Sequence, residues 1–392
     1  MKTIGDSMRN QSLKNSTTLA ALALFAALTI VPTARAQIYG PWSAPVNLNN
    51  LTDSDGKPCS AVVNSLFNDT HPGISKDGLS LFFASTRPGG FGEYDLWVAQ
   101  RDSLDDCWQT PVNLGPVVNS AGRDLAPNLS TDGHWLFFFS NGTGSNRPGS
   151  CGKGVVQELW VSHRDDKRND LGWETPINLG CAINAVTNPT SGLLTDSAGP
   201  TFFDDGNGTL YLYFTRNTFP GDQAGFHIYV STCASDLATC NTQGLWGPGT
   251  PVGAPGVYDL LNSPYRDTRT AIRRRDGLEM ILSSKRPGSL ASENLWVSTR
   301  ATTQDQNWSN PVPINCDWLP TLPQYLDCLP HPPDVPHVNS DAFDGGPALS
   351  WDATELYFFT VDPTLYLTTK CQDSSVATCR HLYISKRTKL PD

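Results

Sequence analysis

Four aspartates recur along the chain within one short pattern, in which an Asn-Ser pair is followed, after three further residues, by Asp. They are Asp69, Asp124, Asp267 and Asp344. Two carboxyl groups about 5 to 9.5 Å apart can cleave a glycosidic bond, and a carboxylate cluster can bind a cation. The alternative is structural, because Asp at a turn commonly accepts backbone N–H bonds. Repetition favours the structural interpretation, since chemistry seldom requires the same residue in every repeat.

The position two residues after each aspartate varies between repeats. Small residues hold it in three of them: Ala126, Gly199 and Gly346. His71 and Arg269 hold it in the other two. Arg offers a bidentate fork and His a titratable donor, so this break in the repeat predicts a site for a polar or anionic ligand. In the alternative, His71 bonds to Asp69, and Arg269 neutralises Asp267 and Asp344.

Aromatic residues of the longest connecting segment are a further candidate binding surface. They are Trp318 and Tyr325, accompanied by His331 and His337. These rings could stack on a sugar, or they could only pack the segment against the rest of the protein. Two acidic stretches, 52–56 and 204–208, have the composition of calcium ligands, but neither completes a standard calcium loop. We therefore predict no cofactor and no metal site beyond a structural calcium ion.

Strand and turn signals around these residues predict the elements that position them. After Asp69, Asp124 and Asp267 come a short strand, an Asp-Gly turn, a second strand, a strand such as "DLWVAQR" (95–101), and a strand with a Trp. The repeat of Asp344 has a degenerate turn, Asp352-Ala353, and no Trp strand after its third strand. The tryptophans are Trp42, Trp108, Trp173, Trp246 and Trp308. Four short strands with tight turns, repeated along the chain, are typical of propeller blades. The sequence therefore predicts an all-β fold, a five-bladed β-propeller of four-stranded antiparallel blades.

The order of the repeats predicts how the ring closes. The last repeat ends at 381–392 without a Trp strand, whereas a segment of that type, 39–48, stands ahead of the first repeat. An N-terminal strand would thus complete the last blade and leave no open edge. We predict a single domain over 37–392. Its blades are expected at about 64–115, 119–180, 194–253, 262–315 and 339–392 plus 39–48.

The repeat resembles a known family. The stretch 124–140, "DLAPNLSTDGHWLFFFS", followed by "ELWVSHR" (158–164), is similar to the WD-like β-propeller repeat of the TolB type. The third repeat departs from the pattern, because Asp196 is one residue out of register and Ser197 holds the motif position. The resemblance implies an exported propeller with a general binding role, and it transfers no catalytic motif.

Composition and cysteine content restrict the function classes. The net charge is −10, and it is about −13 without residues 1–36, which disfavours a nucleic-acid-binding surface. Residues 1–36 combine basic side chains, an apolar run and a small-residue cleavage site, as in a secretory signal. An uncleaved anchor is the alternative. After removal of the signal we expect no stable membrane span, and we predict export to the periplasm or the medium as a monomer.

Ten cysteines in an exported chain predict disulfides. The spacing pairs Cys316 with Cys328, Cys371 with Cys379, and Cys233 with Cys240. Cys151 and Cys181 fall on one face of the predicted ring. Cys59 and Cys107 remain by elimination, although they are expected on opposite faces. Zinc is disfavoured because no paired CxxC spacing is present.

The long connections are predicted to lie on one face of the ring, the face of the aspartates. Loops on a rigid scaffold usually carry binding. We therefore predict a glycan or protein ligand, such as a cell-envelope protein, bound on that face around the central funnel. One alternative is a carbohydrate-active enzyme, a glycoside hydrolase or polysaccharide lyase, that uses carboxylates at the funnel mouth. A second alternative is a structural repeat protein of the cell envelope.

Overall fold

The computed structural model describes most of the chain from Ile38 to Pro391, which forms one compact unit. The described residues are 38–142, 147, 149–151, 157–184, 186–187, 192, 194–217, 225–252, 261–289, 293–303, 307–314, 338–340, 342–361 and 379–391. Across these ranges, none of the helices is both long enough and apolar enough to cross a membrane. The predicted secretory signal lies outside the described residues.

Five antiparallel sheets of four strands make up the described part of the chain. Blade 1 contains β2 (Asp69–Ile74), β3 (Ser80–Ser85), β4 (Asp95–Gln100) and β5 (Val112–Asn113). Blade 2 contains β6 (Asp124–Leu129), β7 (Trp135–Ser140), β8 (Glu158–His163) and β9 (Ile177–Asn178). Blade 3 contains β10 (Ser197–Asp204), β11 (Leu210–Arg216), β12 (His227–Cys233) and β13 (Thr250–Pro251). Blade 4 contains β14 (Asp267–Ile272), β15 (Glu279–Ser284), β16 (Asn294–Thr299) and β17 (Val312–Pro313). Blade 5 contains β18 (Asp344–Leu349), β19 (Glu355–Thr360), β20 (His381–Lys386) and β1 (Val46–Asn47). The predicted fold class is confirmed.

The described ranges contain three short helices between the strands: a 3₁₀ helix at Leu48–Asn50, α1 (Cys181–Asn184) and α2 (Leu237–Thr242). Blade 5 is closed by the N-terminal strand β1, in which Val46 pairs with Ile384. Ahead of β1, the Gly40 amide donates to the Thr388 carbonyl at 3.0 Å, and Trp42 is buried. The fourth strand of blade 5 therefore comes from the start of the described chain, as the repeat order predicted.

Cation–π contacts hold the outer strands against the rest of each blade. In four blades an arginine directly follows the third strand and lies over the tryptophan that precedes or begins the fourth-strand segment. The pairs are Arg101–Trp108, Arg164–Trp173, Arg300–Trp308 and Arg387–Trp42, at 4.3 to 4.5 Å from the guanidinium carbon to the ring centroid. In blade 3 the equivalent residue is Cys233. Buried Arg–Trp stacks of this kind combine apolar packing with cation–π attraction.

Three disulfides are present among the described residues. They join Cys59 to Cys107, Cys151 to Cys181 and Cys233 to Cys240. The first pair was expected on opposite faces, yet its Cα atoms lie 5.5 Å apart. Cys379 is disulfide-bonded, but its predicted partner Cys371 lies outside the described residues, as do Cys316 and Cys328.

Candidate functional site

Each of the four repeated aspartates, here called the entry aspartates, is the first residue of the innermost strand of its blade. Asp69 is fully buried. It accepts bonds from the Ser65 amide at 2.5 Å, the Ser65 hydroxyl at 2.8 Å and the Ser85 hydroxyl at 2.6 Å. Arg87 Nη2 lies 2.5 Å from the carboxylate and also donates to the Val63 carbonyl at 2.7 Å. Asp69 thereby ties the link between blades to the loop between β3 and β4.

Asp124 and Asp267 have the same arrangement. Arg147 pairs with Asp124, and Arg286 pairs with Asp267 at 2.8 Å. In blade 3, Ser197 replaces the aspartate, but an arginine, Arg216, is still present. Burial lowers the pKa of Arg216 to about 10. All of these contacts are internal to the protein.

Asp344 differs from the other entry aspartates. Its carboxylate accepts from the Ser340 amide at 2.6 Å and from Asn294 Nδ2 at 2.9 Å. Among the described residues it has no arginine partner. Burial raises the pKa of Asp344 to about 6, although hydrogen bonds from Thr360, Ser340 and Asn294 oppose the shift.

The residues two positions after the entry positions share one backbone conformation. His71, Ala126, Gly199, Arg269 and Gly346 all have left-handed φ angles, between 47° and 61°. The pairing of the first two strands shifts register at this point in every blade. A left-handed conformation costs a non-glycine residue roughly 1 to 2 kcal/mol. His71 and Arg269 bear that cost at a position where glycine serves in two blades, and such strain clusters at functional sites.

The bulges surround a cavity of about 490 Å³ on the face of the entry aspartates. We call this cavity the funnel. It is lined by His71, Tyr94, Arg123, Leu125, Phe139, Gln157, Ala198, Thr215, Phe226, Arg266, Thr268, Arg269 and Arg380. Below this cavity, the prolines that follow the bulges narrow the passage along the propeller axis to a space of about 20 Å³. Such a space holds about one water molecule. At the far end, Arg274 donates to the carbonyls of Ile74 and Leu129. The channel is therefore a closed funnel.

A second ring of variable residues was missed by the sequence analysis. The residue immediately before the third strand differs in each blade, and we call these five the collar residues: Tyr94, Gln157, Phe226, Glu293 and Arg380. The carbonyl of each accepts the amide of an entry residue in the next blade, at 2.8 to 3.0 Å. The backbone position is thus constant while the side chain is not. Comparison of the repeats at this position would have revealed the ring.

Glu293 is the buried carboxylate of this region. Its Oε1 accepts from Thr268 Oγ1 at 2.5 Å, and its Oε2 lies 3.8 Å from Arg266 Nε. Burial raises the pKa of Glu293, and the charges of Arg266 and Arg269 oppose this shift. No hydrogen bond joins His71 to Asp69 within the described residues, and the carboxylate that acts on Arg269 is Glu293.

The remaining candidates are the aromatic residues of the longest segment and the two acidic stretches. Trp318, Tyr325, His331 and His337 lie outside the described residues. In the two acidic stretches, Asp53 accepts the amides of Asp55 and Lys57, and Asp205 accepts those of Asn207 and Thr209. These aspartates therefore shape turns, and the structural calcium ion stays a prediction.

Comparisons with known proteins identify related folds. No protein-family model matches the chain, and no curated protein does. The chain is similar to the catalytic domain of the Coprinopsis cinerea GH62 α-L-arabinofuranosidase, at 12% identity over 89% of this chain and 98% of that chain, with a TM-score of 0.50. It is also similar to an α-L-arabinofuranosidase from Lactobacillus brevis, at 15% identity over 84% and 94% of the two chains, with a TM-score of 0.50.

These likenesses show the fold alone, a five-bladed propeller that also occurs in glycoside hydrolases. They also correct one prediction. The solved neighbours are glycoside hydrolases and not WD-like repeat proteins, so the assignment to the TolB-type family is wrong. Short strands, Asp-Gly turns and repeated aspartates are common to propeller blades in general, and they do not distinguish one family from another.

Proposed function

We propose that the protein is a carbohydrate-active enzyme that acts on a saccharide held in the funnel. The observation that carries the proposal is Glu293, a buried carboxyl group with a raised pKa. It lies directly behind the cavity wall, where it accepts a hydrogen bond from the lining residue Thr268 at 2.5 Å and lies 3.8 Å from the lining residue Arg266. A carboxyl group kept protonated by burial can protonate the leaving oxygen of a glycosidic bond. Glu293 would be that proton donor.

The funnel suits a saccharide in size and in lining. Its volume of about 490 Å³ falls in the range of small-molecule sites. The lining includes aromatic side chains, among them Tyr94 and Phe139, and polar side chains with hydrogen-bonding groups, Gln157 and Thr215. The likeness to arabinofuranosidase propellers adds support for a sugar as the bound molecule.

A second candidate is glycan binding without turnover. Standard glycosidases need two carboxyl groups, and the described lining of the funnel contains none. Asp69, Asp124 and Asp267 are each enclosed by serine and arginine donors, which supports a structural role for them. A catalytic role for the entry aspartates thus requires rearrangement of these contacts.

We also propose that the protein is exported, to the periplasm or the medium. Three disulfides among the described residues support an oxidising compartment. The signal-like residues 1–36 agree with this. Fractionation of cells that express the full chain would test it, and retention of reduced protein in the cytoplasm would contradict it.

The test of the enzyme proposal is release of sugar from a panel of neutral and acidic polysaccharides by the wild type and by Glu293→Gln. Exposed Glu174→Gln serves as the matched control. We expect turnover at least a hundredfold lower in Glu293→Gln, with an unchanged melting temperature and with Glu174→Gln unaffected. Since burial raises the pKa of Glu293, turnover should be retained at low pH and fall as the pH rises through that pKa. Binding without turnover by the wild type would favour the second candidate.

A further inference from the structure

We propose that the funnel selects saccharides that carry an anionic group, specifically a carboxylate such as that of a uronic acid. The saccharide part of this inference rests on the proposed function. The anionic part rests on the arginines of the funnel and on their surroundings.

The charges in the funnel do not balance among the described residues. Four arginines line it: Arg123, Arg266, Arg269 and Arg380. Arg123 lies at the exposed rim and pairs with Glu93 at 2.5 Å. Of the other three, Arg266 lies 3.8 Å from Glu293 and Arg269 feels the charge of Glu293, and no ion pair of Arg380 is present among the described residues. Positive charge therefore remains in excess in a partly desolvated site, where unpaired charge is costly.

Arg269 has the strongest requirement for an anion. Its Nη1 is buried and has no hydrogen-bond partner among the described residues. Burial lowers the pKa of Arg269 to about 9. The negative charge of Glu293 opposes this shift, and the positive charge of Arg380 adds to it. A bound anion would supply the missing acceptor and the missing charge.

The neighbouring bulge leaves room for the Arg269 side chain. A Cβ atom on Gly199 would lie 3.1 Å from Arg269 Cδ, closer than an ordinary contact. Arg269 has a left-handed φ of 47°, at a position that holds glycine or alanine in three of the other four blades. The local backbone therefore accommodates this arginine at a cost in conformational strain.

Aromatic rings hold the three inner guanidinium groups in place. Arg269 lies over Phe139 at 5.3 Å, Arg266 over Phe226 at 4.9 Å and Arg380 over Phe359 at 5.4 Å. Stacking of this kind restricts the side chains before a ligand arrives. A planar guanidinium presents two parallel donors to a carboxylate. The funnel thus offers preorganised donors for a planar anion.

The rest of the protein makes this positive region distinctive. The whole chain has a net charge of −10, so the arginines form a local region of positive electrostatic potential in an acidic protein. Such a region raises the local concentration of anions at the mouth of the funnel. A neutral saccharide would gain little from it.

The test is calorimetric binding at low salt to uronate-containing oligosaccharides, each compared with its own methyl ester. Oligomers of galacturonate, glucuronate and mannuronate make up the panel, with a sulfated oligosaccharide as a separate arm. We expect at least one acidic oligomer to bind tenfold or more tightly than its ester, and the difference to shrink in high salt. Equal affinity for acid and ester across the panel would overturn the inference. Tighter binding of the sulfated arm than of every uronate would overturn the carboxylate assignment.

The variant that isolates the effect is Arg269→Gly, since glycine already serves at this position in blades 3 and 5. We expect its melting temperature to be kept or raised, because glycine adopts the left-handed φ without strain, and we expect it to lose the preference for acid over ester. Exposed Arg275→Gln, in the turn that follows β14 on the opposite face, removes the same charge and should keep the preference. Retention of the preference in Arg269→Gly would contradict the proposed role.

The outcomes separate this inference from the proposed function. If acidic oligomers bind preferentially but none is turned over, the anionic selectivity holds and the enzyme proposal fails. If neutral oligomers bind and are turned over as well as acidic ones, the enzyme proposal holds and the selectivity fails.

Discussion

At the scale of single residues, those that recur in the repeats have structural roles, and those that vary between repeats are the candidates for ligand binding. Asp69, Asp124 and Asp267 have the same serine and arginine partners in each blade, so their recurrence follows from a structural requirement. Sequence comparison of the repeats was enough to single out His71 and Arg269. It could not reveal their left-handed backbone, which depends on the register shift within each innermost strand. Nor could it reveal the burial of Glu293 against Thr268 and Arg266, which depends on how the strands of blade 4 come together.

Asp124→Ala should destabilise the protein by roughly 3 kcal/mol. The change removes the charge partner of buried Arg147 and an acceptor for the Ser120 amide, and breaking a buried pair is strongly unfavourable. Chemical denaturation measures the loss. In the double variant Asp124→Ala/Arg147→Met, part of the stability should return. An unchanged free energy of unfolding in Asp124→Ala would reject the structural role.

Asp344 should make stability depend on pH. Its pKa in the folded protein is about 6, raised from 3.8, so the folded state binds the proton more tightly than the unfolded state does. The stabilisation, about 3 kcal/mol by linkage, is complete below pH 3.8 and is lost as the pH rises through about 6. The stability of wild type relative to Asp344→Asn should therefore fall between pH 4 and pH 7. A constant difference in denaturation free energy over that range would contradict this.

At the scale of elements, the bulge in each innermost strand shapes the funnel. The repeat pattern predicted these strands, but a shift of register within a strand leaves no period-2 signal to detect. The bulge turns the residue two positions after the entry position towards the axis in all five blades. Function can then vary at that position without any change in the strand pairing that supports it.

Ala126→Gly tests the strain at the bulge. Ala126 has a φ of 55°, which glycine adopts without a steric penalty, so the variant should be more stable by about 1 kcal/mol. Ala84→Gly, in the middle of β3, is the control and should be less stable. Thermal and chemical denaturation of both variants make the comparison. A loss of stability at Ala126 equal to that at Ala84 would show that the left-handed backbone imposes no cost.

At the scale of the whole molecule, the repeats predicted the number of blades and the origin of the closing strand. Both follow from counting strands, since a closed ring has no unpaired edge. Family membership was not predictable in this way, because the blade signals describe the architecture and not the ancestry. The contacts of the longest segment, 315–337, lie beyond the described residues.

Deletion of residues 38–50 should destabilise the ring as a whole. The deleted segment contains β1, which pairs with β20, and three buried core residues, Tyr39, Trp42 and Leu48. Its loss exposes the edge of β20 and leaves Arg387 without the Trp42 ring over which it lies. We expect a clear fall in melting temperature and some aggregation through the exposed edge. A synthetic peptide of residues 38–50 should restore the melting temperature in a concentration-dependent manner, because it binds only the folded ring. The same peptide with Trp42→Ala and Leu48→Ala should not restore it. Unchanged thermal unfolding of the truncated protein would mean that the blade is stable with three strands and that the ring does not depend on closure.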